Sequence, residues 1–136
     1  MRTKQSGFTL LEIMLVVTII ALLLGTAIYK LSGNVEYTQA TRVAADTQGL
    51  STQLKLYESM NGFLPTTEQG LKALVQQPST EPRPTRWYQL YKEVPKDPWN
   101  NEYVYLNPGR KNPQGYDLYS AGKDRKPDTA DDVWGG

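Results

Sequence analysis

The chain has 136 residues, a formal net charge of +1, no cysteine and no histidine. That length allows one modest domain and a membrane segment, and the near-neutral charge, without a long basic patch, gives nucleic-acid binding no electrostatic support. Imidazole catalysis, disulfides and the usual zinc ligand sets are excluded by composition.

Arg2 and Lys4 precede an apolar run from Phe8 to Ile28. As helix, its 21 residues reach about 32 Å, enough to cross a bilayer. The basic start keeps the first residues in the cytoplasm and sends the chain from about Lys30 across. The run exceeds the roughly 7–15 apolar residues of a cleaved secretory signal. Gly25-Thr26-Ala27 behind it is a weak cleavage site, and the better small pair, Ser6-Gly7, stands before it. An anchor is therefore expected over residues 8–29, with 30–136 beyond the membrane. Glu12 interrupts the run, and a carboxylate in hydrocarbon costs about 2.5–3.5 kcal/mol unless compensated. It needs a partner, or it snorkels to the nearby membrane edge.

The helical period continues past the membrane, with Ala40, Val43, Thr47, Leu50, Leu54 and Tyr57 in one stripe. Asn61-Gly62 supplies a stop. The pattern predicts one helix over residues 8–60, about 80 Å long if unbroken, or one with a soft point near Gly33-Asn34. A second, short helix is predicted after Pro65, with Thr66 and Gln69 at capping-box spacing. Its inner face is Leu71, Leu74 and Val75, and Pro78 ends it. Residues 79–85 read as extended loop. Strands are predicted at 103–106 and 116–119, joined through Asn107-Pro108-Gly109, with a brief third near Val133-Trp134. The fold class is thus α+β: a long N-terminal helix, transmembrane then amphipathic, packed on a short helix and a small antiparallel sheet.

Asp124, Asp128, Asp131 and Asp132 fall within nine residues of a turn-rich stretch. Oxygen-rich loops of this kind suit Ca²⁺, although the spacing is not that of an EF-hand. The competing expectation is a solvated turn whose acids pair with Lys123, Arg125 and Lys126. The aromatic residues between Trp87 and Tyr119 are expected to serve packing or subunit contact rather than ligand stacking.

Gly7-Phe8-Thr9-Leu10-Leu11-Glu12, followed by apolar residues, resembles the class III signal of type IV pilins and type II secretion pseudopilins. Tyr57-Glu58-Ser59-Met60-Asn61-Gly62-Phe63-Leu64-Pro65-Thr66-Thr67-Glu68-Gln69-Gly70-Leu71 resembles the signature YxxxNGxYPTTEQGL of the major pseudopilins of type II secretion. Leu74-Val75, Glu81-Pro82-Arg83-Pro84, Asp97-Pro98-Trp99 and Tyr103 extend that resemblance over nearly the whole chain. It implies a pilin-like fold. It also implies a leader of residues 1–7, cut between Gly7 and Phe8 by a prepilin peptidase that then N-methylates Phe8. Glu12 would pair with the α-amino group of Phe8 on a neighbouring subunit and set the register of a filament. The resemblance further implies a calcium loop, with the side chains of Asp124, Asp131 and Asp132 and the carbonyls of Ala121 and Val133 as ligands; Asp128 matches no ligand position.

The implied function is that of a type II secretion pseudopilus subunit, a non-enzymatic homopolymer in a single-pass inner-membrane protein with a periplasmic domain. Its implied partners are minor pseudopilins, the prepilin peptidase, an inner-membrane assembly platform and membrane lipid, with no nucleic acid. Two alternatives remain: a type IV or competence pilin, which usually carries a disulfide, and a signal-anchored periplasmic binding domain. Two positions depart from the family. Tyr29 stands where relatives commonly carry a helix proline, and Asn100 stands where a glycine usually follows Asp-Pro-Trp; asparagine tolerates the left-handed conformation such a turn needs.

Overall fold

The computed structural model of the chain describes residues 7–135, and their side chains apart from those of residues 31–34. Residues 1–6 of the expected leader, with Arg2 and Lys4, and the side chains of the expected soft point at Gly33-Asn34 lie outside the described residues. Helix α1 spans Leu10–Asn61, two residues later at its start and one later at its end than the sequence pattern predicts. The chain forms two compact units, Met1–Thr38 and Gln39–Gly136.

The first unit presents an apolar surface with no cover. Phe8, Leu10, Leu11, Met14 and Leu15 are exposed, as are Leu22, Leu23, Leu24 and Ile28. By length and composition α1 is able to cross a membrane, and its most apolar stretch is buried nowhere in the chain.

The second unit is built on the amphipathic half of α1. Val43, Thr47, Leu50, Leu54 and Tyr57 are all buried, as a period near 3.6 dictates, while Ala40, expected at the head of the stripe, is exposed. The stop also forms as expected. Gly62 takes φ +81°, donates its N–H to the Glu58 carbonyl at 2.7 Å, and Asn61 Nδ2 bonds the Tyr57 carbonyl at 3.0 Å.

The short helix expected after Pro65 forms only in part. Thr66 and Gln69 do make a reciprocal capping box, each side chain accepting the other's backbone N–H at 3.2 Å. Gly70, at φ +58°, then breaks the run, and the chain continues as a four-residue 3₁₀ turn, η1, Leu71–Leu74. Leu71, Ala73 and Leu74 are buried against the stripe of α1 in one core.

Three short strands complete the core: β1 Val104–Leu106, β2 Asp117–Ser120 and β3 Val133–Trp134. They pair antiparallel in the order β1-β2-β3, with Tyr105 opposite Leu118 and Ser120 opposite Val133. Tyr103, Tyr105 and Leu118 join α1 and η1 in the core. Three of the aromatics packed here have partners for their polar ends, whereas the buried Tyr57 hydroxyl has none. The Tyr103 hydroxyl donates to Asp46 Oδ2 at 2.7 Å, the Tyr105 hydroxyl to the Pro65 carbonyl at 2.8 Å, and Trp87 Nε1 to the Ala73 carbonyl at 2.8 Å. The aromatic set thus packs as expected, although Tyr88 stays exposed. Asn100 takes φ +66°, the left-handed conformation anticipated for it after Asp97-Pro98-Trp99.

Candidate functional site

Two places carry the residues singled out by the sequence. The first is the start of α1. Glu12 donates its backbone N–H to Thr9 Oγ1 at 3.3 Å, and Thr9 donates its own to Glu12 Oε2 at 3.5 Å. Thr9-Leu10-Leu11-Glu12 is therefore a capping box, placing the carboxylate at the positive end of the helix dipole. Thr9 escaped the sequence reading although the S/T-x-x-E spacing was there. The 3.5 Å separation is long for a charge-assisted bond, so this local partner holds Glu12 weakly. Gly7 and Phe8 precede the helix, both exposed, and a Cβ on Gly7 would meet nothing within 4 Å.

The second place is the loop of residues 121–132, which links β2 to β3. Its entry is buried: Ala121 and Gly122 lie beneath the surface, and Gly122 takes φ +67°. A side chain there would collide with the carbonyl of Asp131, so both the conformation and the close approach require glycine. In the loop, backbone donors hold the carboxylates of Asp124, Asp131 and Asp132, and one of those donors ties Asp124 to Asp131. Asp124 N–H bonds Asp131 Oδ2 at 2.9 Å, and Lys126 N–H bonds Asp124 Oδ1 at 2.8 Å. Asp132 Oδ2 accepts from the backbones of Asp128 and Thr129 at 2.9 and 3.2 Å. Thr129 Oγ1 donates to Asp131 Oδ1 at 2.6 Å. That hydroxyl, with the Asp124 N–H, holds the Asp131 carboxyl below the usual carboxylate range.

Asp128 lends its backbone N–H to Asp132 but directs its side chain elsewhere. Its carboxylate pairs with Arg110 Nη1 at 2.7 Å on the surface, a position where an ion pair adds little stability. Arg110 thus fills the role expected of Lys123, Arg125 or Lys126, and its loop-to-loop reach left no local sequence signal.

Among the described residues no three acidic groups converge into a metal-holding cluster. One atom nevertheless points to a cation: Asp132 Oδ1 is buried and has no hydrogen-bond partner. A buried carboxylate oxygen without a donor is costly. Ala121 follows β2 and Val133 opens β3 at the two ends of the loop, and its aspartate carboxylates are hard oxygen ligands of the type that calcium takes.

Residues 30–134 match the family model described as type II secretion system (T2SS), protein G, and residues 2–28 match the prokaryotic N-terminal methylation motif. The chain belongs to the type II secretion system protein G family. It is 42% identical to the type II secretion system core protein G of Dickeya chrysanthemi, over 98% of this chain and 87% of that one. The core protein G of Vibrio cholerae is 43% identical, over 89% and 82%. Among solved structures, the major pseudopilin of the type 2 secretion system of enterohaemorrhagic Escherichia coli superposes with a TM-score of 0.69 at 38% identity, covering 74% of this chain and 85% of that one. These matches bear out the resemblance to major pseudopilins and favour it over the pilin and binding-domain alternatives. The family is a structural pseudopilin of the secretion system and not an enzyme, and membership implies assembly into a pseudopilus with other secretion components. The methylation motif and the uncovered apolar helix fit a membrane-anchored secretion-system protein.

Proposed function

We propose that this chain is made with a leader of residues 1–7, cut between Gly7 and Phe8 and methylated on Phe8, and that it then polymerises into a periplasmic filament driving export of folded proteins. Residues 8–29 store the subunit in the inner membrane, and residues 30–136 face the periplasm. The supporting observation is the bare apolar surface from Phe8 to Ile28, where Phe8 is 79% exposed and Leu10 79%. Such a surface needs lipid before assembly and neighbouring helices after it. Minor pseudopilins, the prepilin peptidase and an inner-membrane platform are the partners this route requires.

Glu12 is the one acid in that surface up to Ile28. Its long bond to the Thr9 N–H is a weak competitor for the full positive charge of a neighbour's Phe8 α-amino group. In a filament that pairing offsets much of the desolvation of both charges, and a slipped register leaves both uncompensated. Register, more than net stability, is what the pair supplies.

Calcium in the acidic loop is the second part of the proposal. The side chains of Asp124, Asp131 and Asp132 and the carbonyls of Ala121 and Val133 would hold it. The ion would supply positive charge to three carboxylates of one loop and a tie across that loop in a domain without disulfides. The orphaned Asp132 Oδ1 supports this reading.

The decisive experiment is the intact mass and N-terminal sequence of the protein purified from membranes. N-methyl-Phe8 at the amino terminus is expected, and an uncut chain starting at Met1 would refute the pathway.

A further inference from the structure

The Asp97-Pro98-Trp99 turn and the entry of the acidic loop are far apart in sequence, yet one buried chain of hydrogen bonds joins them. Asp97 is 2% exposed and Ser120 0%. Asp97 Oδ1 accepts the backbone N–H groups of Trp99 at 3.0 Å and Asn101 at 2.7 Å, while its Oδ2 accepts the Ser120 hydroxyl at 2.5 Å. Ser120 Oγ in turn accepts the Gly122 N–H at 3.1 Å, and Asn101 Nδ2 donates to the Gly122 carbonyl at 3.2 Å.

The direction of each bond follows from donor chemistry. An ionised aspartate accepts only, so the single hydroxyl proton of Ser120 is committed to Asp97 and its lone pairs are left for Gly122. The Ala121–Gly122 peptide is a rigid plane in which C=O and N–H point to opposite sides. Anchoring the Gly122 N–H on Ser120 therefore turns the Ala121 carbonyl away from Asp97, and Asn101 fixes the next peptide plane. Gly122 takes φ +67°, and a Cβ there would collide with the Asp131 carbonyl, so the clamped peptide lies close against the acidic loop.

We propose that Asp97 and Ser120 are positioning residues for calcium, aiming the Ala121 carbonyl by clamping the Ala121–Gly122 peptide, with Asn101 as the second clamp. This rests on the calcium reading of the acidic loop. Neither residue touches the ion; outer partners of this kind typically carry about 10–100-fold in metal affinity. In Asp97→Asn the turn can keep both backbone bonds through the amide oxygen. The amide nitrogen then faces Ser120 Oγ, the hydroxyl proton loses its acceptor, and the Gly122 N–H meets a competitor.

The test uses the full chain in detergent, stripped by a chelator and titrated calorimetrically with calcium chloride. Ser120→Ala and Asp97→Asn should each weaken calcium binding about tenfold or more, and the double variant should be no weaker than the worse single, since both break one chain. Melting is followed in chelator for every variant, because a purely structural role lowers that melting temperature and leaves the affinity of the folded protein unchanged. Asn101→Ala, at a half-exposed residue, tests the second clamp if the buried variants do not fold, and should weaken binding about threefold or more. Affinities within about twofold of the parent, with Ser120→Ala or Asn101→Ala folded, overturn the positioning role while leaving the calcium site intact. A parent chain that takes up no calcium overturns the calcium reading, and this proposal with it.

Discussion

Replacing Asp132 by asparagine should change stability in opposite senses with and without calcium. Asp132 Oδ2 accepts the backbone N–H groups of Asp128 and Thr129, whereas Oδ1 is buried with no partner. An asparagine placing its oxygen at the Oδ2 position keeps both accepted bonds. It exchanges a charged orphan acceptor for a neutral orphan donor, and a buried charge costs more than a buried amide. The calcium-free Asp132→Asn protein should therefore be as stable as the parent or more so, by up to about 1 kcal/mol. With calcium at about one hundred times its dissociation constant the parent gains about 2.7 kcal/mol, and the variant gains almost none of it. For a domain of about one hundred residues that difference is about 10–20 °C in melting temperature. Circular dichroism melts of the full chain in detergent, in chelator and in excess calcium, give all four values. Equal losses in both buffers would mean that the Oδ1 position serves the fold alone, and the cation argument drawn from it would be wrong.

Single contacts carry the other predictions. A Cβ on Gly135 would collide with Thr47 Oγ1, so Gly135→Ala should cost about 1–3 kcal/mol in a chemical melt, and adding Thr47→Ala should restore part of it. The Tyr57 hydroxyl is buried without a partner, and Tyr57→Phe should raise stability by about 1 kcal/mol; a loss of that size would refute the vacancy of its hydrogen bond. Burial raises the hydroxyl pKa of Tyr57, Tyr91, Tyr103, Tyr105 and Tyr119 above the ordinary 10.0. Those hydroxyls stay protonated in the folded chain while the unfolded chain ionises, so stability holds below about pH 10 and falls above it. Denaturant midpoints unchanged between pH 9 and pH 11 would contradict that sign. Glu12→Ala should still be cut before Phe8 and should assemble poorly, as judged by filaments sheared from cells; normal filament yield would remove the register argument.

The elements written in local period were legible in the sequence. The stripe from Val43 to Tyr57 follows a helical repeat and lies buried, and β1, β2 and β3 fall within about one residue of their alternating or β-branched runs. The short helix was half legible: the Thr66–Gln69 box has a local signature, but Gly70 at positive φ overrides the helical spacing of Leu71, Leu74 and Val75. Ala40 sat in register with the stripe and is exposed nonetheless, since periodicity marks a face without saying how far along it the cover extends. Long-range partners had no local code. Ser120 to Asp97 spans 23 positions and Arg110 to Asp128 spans 18, and short polar residues amid Gly and Pro read as solvated turn. The acidic loop was found by composition, while the bonds that tie Gly122 to Ser120 and Asp97 were not.

What holds this cysteine-free domain together is visible in where its aspartates point. Asp97 gathers the N–H groups of Trp99 and Asn101 with the Ser120 hydroxyl. Asp117, 3% exposed, gathers the N–H groups of Arg110, Lys111 and Asn112 at 2.6, 2.8 and 3.0 Å. Asp132 gathers those of Asp128 and Thr129. Each carboxylate folds a loop back onto the sheet by satisfying donors that a strand or helix would otherwise satisfy. Bonds to a charged acceptor are worth about 1.5–3 kcal/mol each before desolvation of the aspartate is subtracted, so a staple of two or three such bonds approaches the roughly 2–5 kcal/mol of a native disulfide. Asp97 and Asp117 have both oxygens engaged by protein donors, whereas Asp132 leaves one empty. If all three were structural staples alone, that asymmetry would be a defect at the centre of the most acidic loop in the chain. Under the calcium proposal, a cation on the empty oxygen would make Asp132 the third completed staple and would offset the repulsion of a loop that concentrates negative charge.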